Sequence, residues 1–282
     1  MLFFHMLFGF SIADLKCREY IAQAEATNQT SPAEPLPLII SGDKSVDGEF
    51  PHMAHIGCRK NGSDEYNWAC GGSLISKFFI LTAAHCTDNP DIGVPALILL
   101  GSTSIHYQKN TQLRNVKKTI KYPTRKGYYN DIALIRMDRP VVFDSYVRPA
   151  CLNTCEKCQF DKVVATGYGV EDYTSTNMSE HLLKTHLEIY PNENCSNIHG
   201  QTIKRILPQG VLKSQLCAGS TERNDTCHGD SGGPLQIQLN TEFYMYKIIG
   251  LTSFGLFCGQ PSTPSFYTRI SYYVRWIENI VW

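Results

Sequence analysis

At 282 residues, 43% hydrophobic and 18% charged, the chain is long enough to bury a full core and too apolar to stay disordered. Lys plus Arg and Asp plus Glu each number 26, a balance that excludes both the basic excess of a nucleic-acid binder and an acidic solvating tail. Eleven cysteines point to an oxidising compartment, where disulfides persist.

The first segment, Met1 to Ala13, is an apolar run that ends in a small residue and is too short to span a bilayer. It has the shape of a secretion signal cut near Ala13, although no basic residues precede the apolar stretch and a truncated gene start fits it as well. Residues 14–38 are rich in Ala, Thr, Pro and Gln, with Pro32, Pro35 and Pro37 near the end, and read as an extended or mobile leader rather than a folded domain. The folded unit is expected over residues 39–282. There, short apolar or alternating runs such as Ser73 to Ser76, Leu97 to Leu100, Lys162 to Thr166 and Lys247 to Leu251 are separated by Gly, Asn, Asp and Pro clusters, which is an all-β pattern. Only the C-terminus reads helical, from Val274, Ile277 and Val281 at helical spacing. No later stretch has the apolar length of a membrane span, so a soluble, secreted product without a membrane partner is expected.

Within this frame, Leu81-Thr82-Ala83-Ala84-His85-Cys86 places a histidine after an apolar run, and Asn130-Asp131-Ile132-Ala133-Leu134 places an aspartate at the head of another. Further on comes Asp225-Thr226-Cys227-His228-Gly229-Asp230-Ser231-Gly232-Gly233-Pro234. A serine flanked by glycines presents its hydroxyl and the surrounding backbone N–H groups to one carbonyl, because glycine tolerates angles and close approaches that other residues do not. Serine alone is a poor nucleophile at neutral pH and needs a histidine base held by a buried carboxylate. Each block alone reads equally well as a core histidine, a strand-capping aspartate or a Gly-rich turn. Together, in the order His, Asp, Ser, they point to acyl transfer.

These blocks resemble the trypsin/chymotrypsin family of serine endopeptidases over nearly all of Ile39 to Trp282. The stretches Glu49 to Ala54, Arg148 to Leu152 and Thr252 to Gly255 are most similar to arthropod cascade proteases of the snake/easter type, with no clip domain visible upstream. The resemblance implies two six-stranded antiparallel β-barrels with a C-terminal helix, His85 and Asp131 on the first and Ser231 on the second. It implies Ser231 as nucleophile, His85 as general base and then acid, Asp131 as the group that fixes the imidazole, and the backbone N–H groups of Gly229 and Ser231 as the oxyanion hole.

It also implies a zymogen: cleavage between Leu38 and Ile39 would free an α-amino group that pairs with Asp230, although Ile40 and Ser41 depart from the family's usual pair. Asp225 matches the carboxylate that selects Arg or Lys. Thr226, His228 and the wall Ser253, Phe254 and Gly255 would complete the substrate site. Ser265 stands where the family usually keeps a glycine, and an added side chain in a fitted site costs about 1–3 kcal/mol.

Four disulfides are implied: Cys70 with Cys86, Cys195 with Cys217, Cys227 with Cys258, and Cys17 with Cys151, the last tethering the leader. Cys58, Cys155 and Cys158 remain, an odd set that permits one more bridge and one free or intermolecular thiol. Cys155 and Cys158 also admit a redox or zinc reading, against which stands the lack of a second such pair or of paired histidines. No cofactor is implied, and the loop after His85 lacks an obvious pair of Glu or Asp ligands for a calcium site. Sequons at Asn28, Asn61, Asn177, Asn194 and Asn224 agree with secretion. The expected partners are a protein substrate, itself a zymogen, an upstream protease that accepts leucine, and a macromolecular inhibitor. The rival readings are a secreted homologue that binds without cutting and a broad digestive protease.

Overall fold

The computed structural model describes residues 10–27, 43–60, 62–105, 108–170, 178–221, 226, 229–256 and 260–282. Helix α1 (Ile12–Ala26) comes first, followed by strands β1 (Asp43–Lys44), β2 (Met53–Arg59), β3 (Asn67–Ser76), β4 (Phe79–Thr82), β5 (Val94–Leu100), β6 (Gln112–Lys121) and β7 (Ala133–Met137). Strands β2, β3, β4, β7, β6 and β5 pair in that order and close, β5 returning to β2, into a six-stranded antiparallel barrel.

The second half contributes β8 (Cys151–Leu152), β9 (Lys162–Gly167), β10 (Leu183–Tyr190), helix α2 (Asn192–Ile206), β11 (Gln215–Gly219), β12 (Pro234–Asn240), β13 (Met245–Phe254), β14 (Ser265–Arg269) and helix α3 (Val274–Val281). Here β9, β10, β11, β14, β13 and β12 form the second barrel, closed by the β12–β9 pairing, while β1 adds beside β10 and β8 runs parallel to β13.

Strand periodicity explains how the barrels fill and how they join. In β3, β4 and β7, Leu74, Ile80 and Ile135 point into the first barrel with Ala54, Ile56, Ile98 and Leu100. Their neighbours Ile75, Leu81 and Leu134 point the other way and pack with Ile248, Leu251, Ile270 and Ile277 of the second half. A strand buried on both faces needs apolar residues at every position, hence the uninterrupted Ile132 to Ile135 run. The second barrel is filled by Val163, Ala165, Leu187, Leu216, Leu235, Ile249 and Tyr267.

Two expectations are corrected. The leader is helical through Ala26 rather than extended. Ser11 caps α1 in a reciprocal box with Asp14, and Ala13, Tyr20 and Ala24 are buried. Cys17 is bonded to Cys151, the Tyr20 hydroxyl donates to the Ile75 carbonyl at 3.2 Å, and the Ala13 N–H donates to Glu278 at 2.8 Å. The processing point expected at Ala13 therefore falls within a docked helix. Its packing face carries mainly small residues, so the apolar period is faint in the sequence, and tertiary contacts supply what propensity does not. The C-terminus is also not the only other helix. Helix α2 breaks at Gly200 (φ 52°), buries Cys195 and His199 before the break and Ile203 after it, and is bonded through Cys195 to Cys217 of β11. Among the described helices none is long and apolar enough to cross a membrane.

Candidate active site

His85 sits in a single 3-10 turn, Ala84–Thr87, immediately after β4. The neighbouring Cys86 is bonded to Cys70 of β3, which pins that turn to the barrel wall. Asp131 lies at the head of β7, behind Asn130, which adopts the left-handed region at φ 55°. The imidazole Nδ1–H donates to Asp131 Oδ2 at 2.7 Å and the His85 backbone N–H donates to Oδ1 at 2.9 Å, leaving Nε2 as the basic ring nitrogen.

The second barrel completes the hold on this carboxylate. The Ser253 hydroxyl of β13 donates to Asp131 Oδ2 at 2.6 Å, and the Thr268 hydroxyl of β14 donates to the Asp131 carbonyl at 2.8 Å. Asp131 is fully buried. Burial alone would raise its pKa, but the His85 charge and hydrogen bonds from His85 and Ser253 outweigh that effect and hold the carboxyl below its ordinary range.

His85 and Ser231 line one cleft of about 660 Å³, together with Thr226, Ser253, Phe254 and Gly255. The loop carrying Ser231 is anchored to both barrels: Gly71 N–H donates to the Ser231 carbonyl and Gly232 N–H to the Thr252 carbonyl, each at 2.8 Å. Gly229 and Gly232 have φ of 101° and 75°, and a Cβ at Gly232 would lie 2.2 Å from Thr82 Oγ1. Glycine is required there on both counts.

Asp230 is buried beside the end of β9, where it accepts the Gly169 N–H at 2.8 Å. Gly167 and Gly169 make room for this carboxylate, since a Cβ at either would lie within 2.5 Å of one of its oxygens.

The cleft wall carries Phe254 stacked on Phe266 at 4.6 Å, with Tyr128 over its other side at 4.3 Å. The Thr226 and Tyr267 hydroxyls are 2.9 Å apart. Ser265 is buried beside Gly255, whose missing Cβ would meet Ser265 Oγ at 2.7 Å. Asp225, His228, Leu38, Ile39, Cys227 and Cys258 lie outside the described residues. The leftover cysteines resolve into a Cys155–Cys158 bridge and a buried Cys58 thiol whose pKa burial pushes up to about 12.

Several neighbours were not foreseen. Ser253 was expected only as cleft wall, yet it also holds Asp131, as does Thr268. Arg125 Nη1 grips both oxygens of Asp88 at 2.7 and 2.6 Å, and its Nε lies 3.9 Å from Asp131 Oδ1, so a cation stands beside the buried carboxylate. No local pattern announces these groups; Ser253 and Thr268 reach Asp131 from more than a hundred residues away, and Arg125 reaches Asp88 from 37.

Residues 39–277 match the family described as Trypsin. Serine protease snk of Drosophila melanogaster is 36% identical over 95% of this chain, and Serine protease Hayan of the same fly is 36% identical over 89%. Phenoloxidase-activating factor 1 of Holotrichia diomphalia is 34% identical over 86% of this chain and is covered over 69% of its own length. The chain spans 65% of the length of snk and 40% of that of Hayan.

Proposed function

Because the chain belongs to the trypsin family, we propose that it is a serine endopeptidase in which Ser231 attacks the scissile carbonyl. His85 Nε2 takes the hydroxyl proton and returns it to the leaving amine, while Asp131 fixes the tautomer that makes Nε2 basic and stabilises the imidazolium. The N–H groups of Gly229 and Ser231 receive the developing oxyanion. The observation that carries this reading is the His85–Asp131 pair, clamped by groups from both barrels and opening on the same cleft as Ser231. Such two-sided anchoring supplies the rigid orientation on which nucleophilic attack depends.

The enzyme is made as a zymogen and secreted. Cleavage at Leu38–Ile39 frees an amine that pairs with Asp230, one residue from the nucleophile, and so organises the oxyanion loop. Asp225 directs cleavage after Arg or Lys, with Ser265 narrowing the site. Such a pocket rejects leucine, so a different protease performs the activation. This restricted step and the similarity to snk and Phenoloxidase-activating factor 1 favour work within a proteolytic cascade on a protein substrate.

The test is to cleave the purified chain at Leu38–Ile39, confirm the new terminus by sequencing, and label it with an active-site-directed phosphonate. Labelling at Ser231 only after cleavage, with turnover of Arg and Lys substrates but not Phe or Leu, is expected. Failure to label after confirmed cleavage would leave the reading as a binding homologue in its place.

A further inference from the structure

Arg125 stands beside the His85–Asp131 pair, yet the mechanism above gives it no part. It lies in the segment between β6 and β7, where its N–H donates to the Tyr122 carbonyl at 3.2 Å and the next residue, Lys126, exchanges backbone hydrogen bonds with Tyr129 at 3.1 and 3.0 Å. The Asn130 amide, next to Asp131, closes the same loop onto the Thr124 carbonyl at 3.0 Å. The backbone thus fixes where the Arg125 side chain starts. Asp88, directly after the turn that carries His85, fixes where it ends, with both carboxylate oxygens on Nη1.

Held in this way, the guanidinium has a buried Nε that makes no hydrogen bond among the described residues and lies 3.9 Å from Asp131 Oδ1. At that separation the interaction is one of charge alone. Lys121 also pairs with Asp88, at 2.8 Å, so one acid is shared by two cations and leaves part of the Arg125 charge to act on Asp131. Lys121 and Asp88 are 44% and 33% exposed, and water screens them; Asp131 is fully buried, and water does not screen it. The two cations and two carboxylates balance while the imidazole is neutral. A proton on His85 adds an excess positive charge to the group. Of the other titratable groups here, Tyr273 donates to Asn130 Oδ1 at 2.7 Å and stays neutral because burial raises its pKa, Tyr128 lines the cleft, and Asp230 accepts the Gly169 N–H.

We propose that Arg125 is a positioning residue for the proposed triad: its charge draws on the Asp131 carboxylate and keeps His85 in the neutral, proton-accepting form at lower pH than Asp131 alone would allow. This rests on the endopeptidase reading. Asp131 favours the imidazolium through Oδ2, and a cation beside Oδ1 opposes that preference.

The rate of phosphonate labelling as a function of pH, measured on the enzyme cleaved at Leu38–Ile39, tests the proposal. The acid limb of that curve reports the base of the free enzyme, so a change in affinity for the phosphonate alters its height and not its midpoint. Arg125→Gln and Arg125→Met are each expected to raise the midpoint by about 0.5–1 pH unit, less than the full effect of an adjacent charge because Arg125 acts through Asp131. Arg125→Lys should restore most of the shift. Lys121→Gln removes an equal charge from the exposed side of Asp88 and should move the midpoint by less than half as much. Asp88 keeps Lys121 as a partner in every Arg125 variant, so these variants should fold. A midpoint unmoved in both neutral variants, or moved as far in Arg125→Lys as in them, overturns the proposal and leaves the endopeptidase reading in place. A cleaved parent that does not label at any pH overturns that reading, and this proposal with it.

Discussion

Asp131 shows how a single side chain depends on distant partners. Its carboxylate receives His85 from 46 residues away and Ser253 from 122 residues away, and the two contacts outweigh the cost of full burial. On the proposed mechanism, Ser231→Ala is expected to lower kcat by about 10⁶ and Asp131→Asn by about 10⁴, the latter through the wrong imidazole tautomer. Steady-state kinetics on the cleaved enzyme decide this, and a merely tenfold loss for Ser231→Ala would exclude it as nucleophile. Gly232 carries a different constraint. Its φ of 75° and the Thr82 hydroxyl 2.2 Å from any added Cβ predict that Gly232→Ala destabilises the fold by at least about 2 kcal/mol, measured as a lower urea midpoint. An unchanged midpoint would mean that the loop yields at this point.

At the scale of the element, α1 is the part of the molecule least evident beforehand. Its face of Ala13, Cys17, Tyr20 and Ala24 has too little apolar bulk to announce a helix, and the composition of residues 14–38 suggested an open chain. Docking onto Cys151, Phe243 and Met245 provides the missing burial, and the Cys17–Cys151 bond holds it there. Cys17→Ser is expected to lower stability by roughly 2–4 kcal/mol and Tyr20→Ala by about 3 kcal/mol, seen as a fall in Tm. After cleavage at Leu38–Ile39, the parent should keep the leader on a non-reducing gel and Cys17→Ser should release it. Retention by Cys17→Ser under denaturing, non-reducing conditions would show that another covalent link exists.

Across the whole molecule, the seam between the barrels carries a pH dependence. His52 packs against Tyr246, and His55 is stacked on Tyr168 at 4.1 Å with Trp68 on its other side. Burial lowers their pKa values to about 3 and about 4. The folded state therefore keeps both rings neutral while the unfolded chain takes up protons below its ordinary value near 6.5. Their contribution is fully present above that pH and is lost as pH falls toward the folded values, at about 1.4 kcal/mol per pH unit for each ring. By pH 5 this amounts to about 2 kcal/mol each. The depressed Asp131 pKa adds a further loss, beginning near pH 4 and running down through its folded value. Thermal unfolding at stepped pH should show Tm falling from about pH 6.5 downward. A flat Tm between pH 7 and 5 would contradict burial of neutral rings at the seam.

The residue sequence by itself determined the class of fold and marked the residues on which the proposed chemistry rests. His85, Asp131 and Ser231 each sit in a short block whose composition is tied to a local need, a strand end, a turn or a glycine-lined loop, and period-two apolar runs mark strands without reference to the rest of the chain. Only the tertiary structure decided that Ser253 and Thr268 hold Asp131 and that the leader docks as a helix. Those arrangements join residues from separate elements, and contacts of that kind leave no period or spacing in the chain, because their energy comes from surfaces that meet only once both barrels have closed.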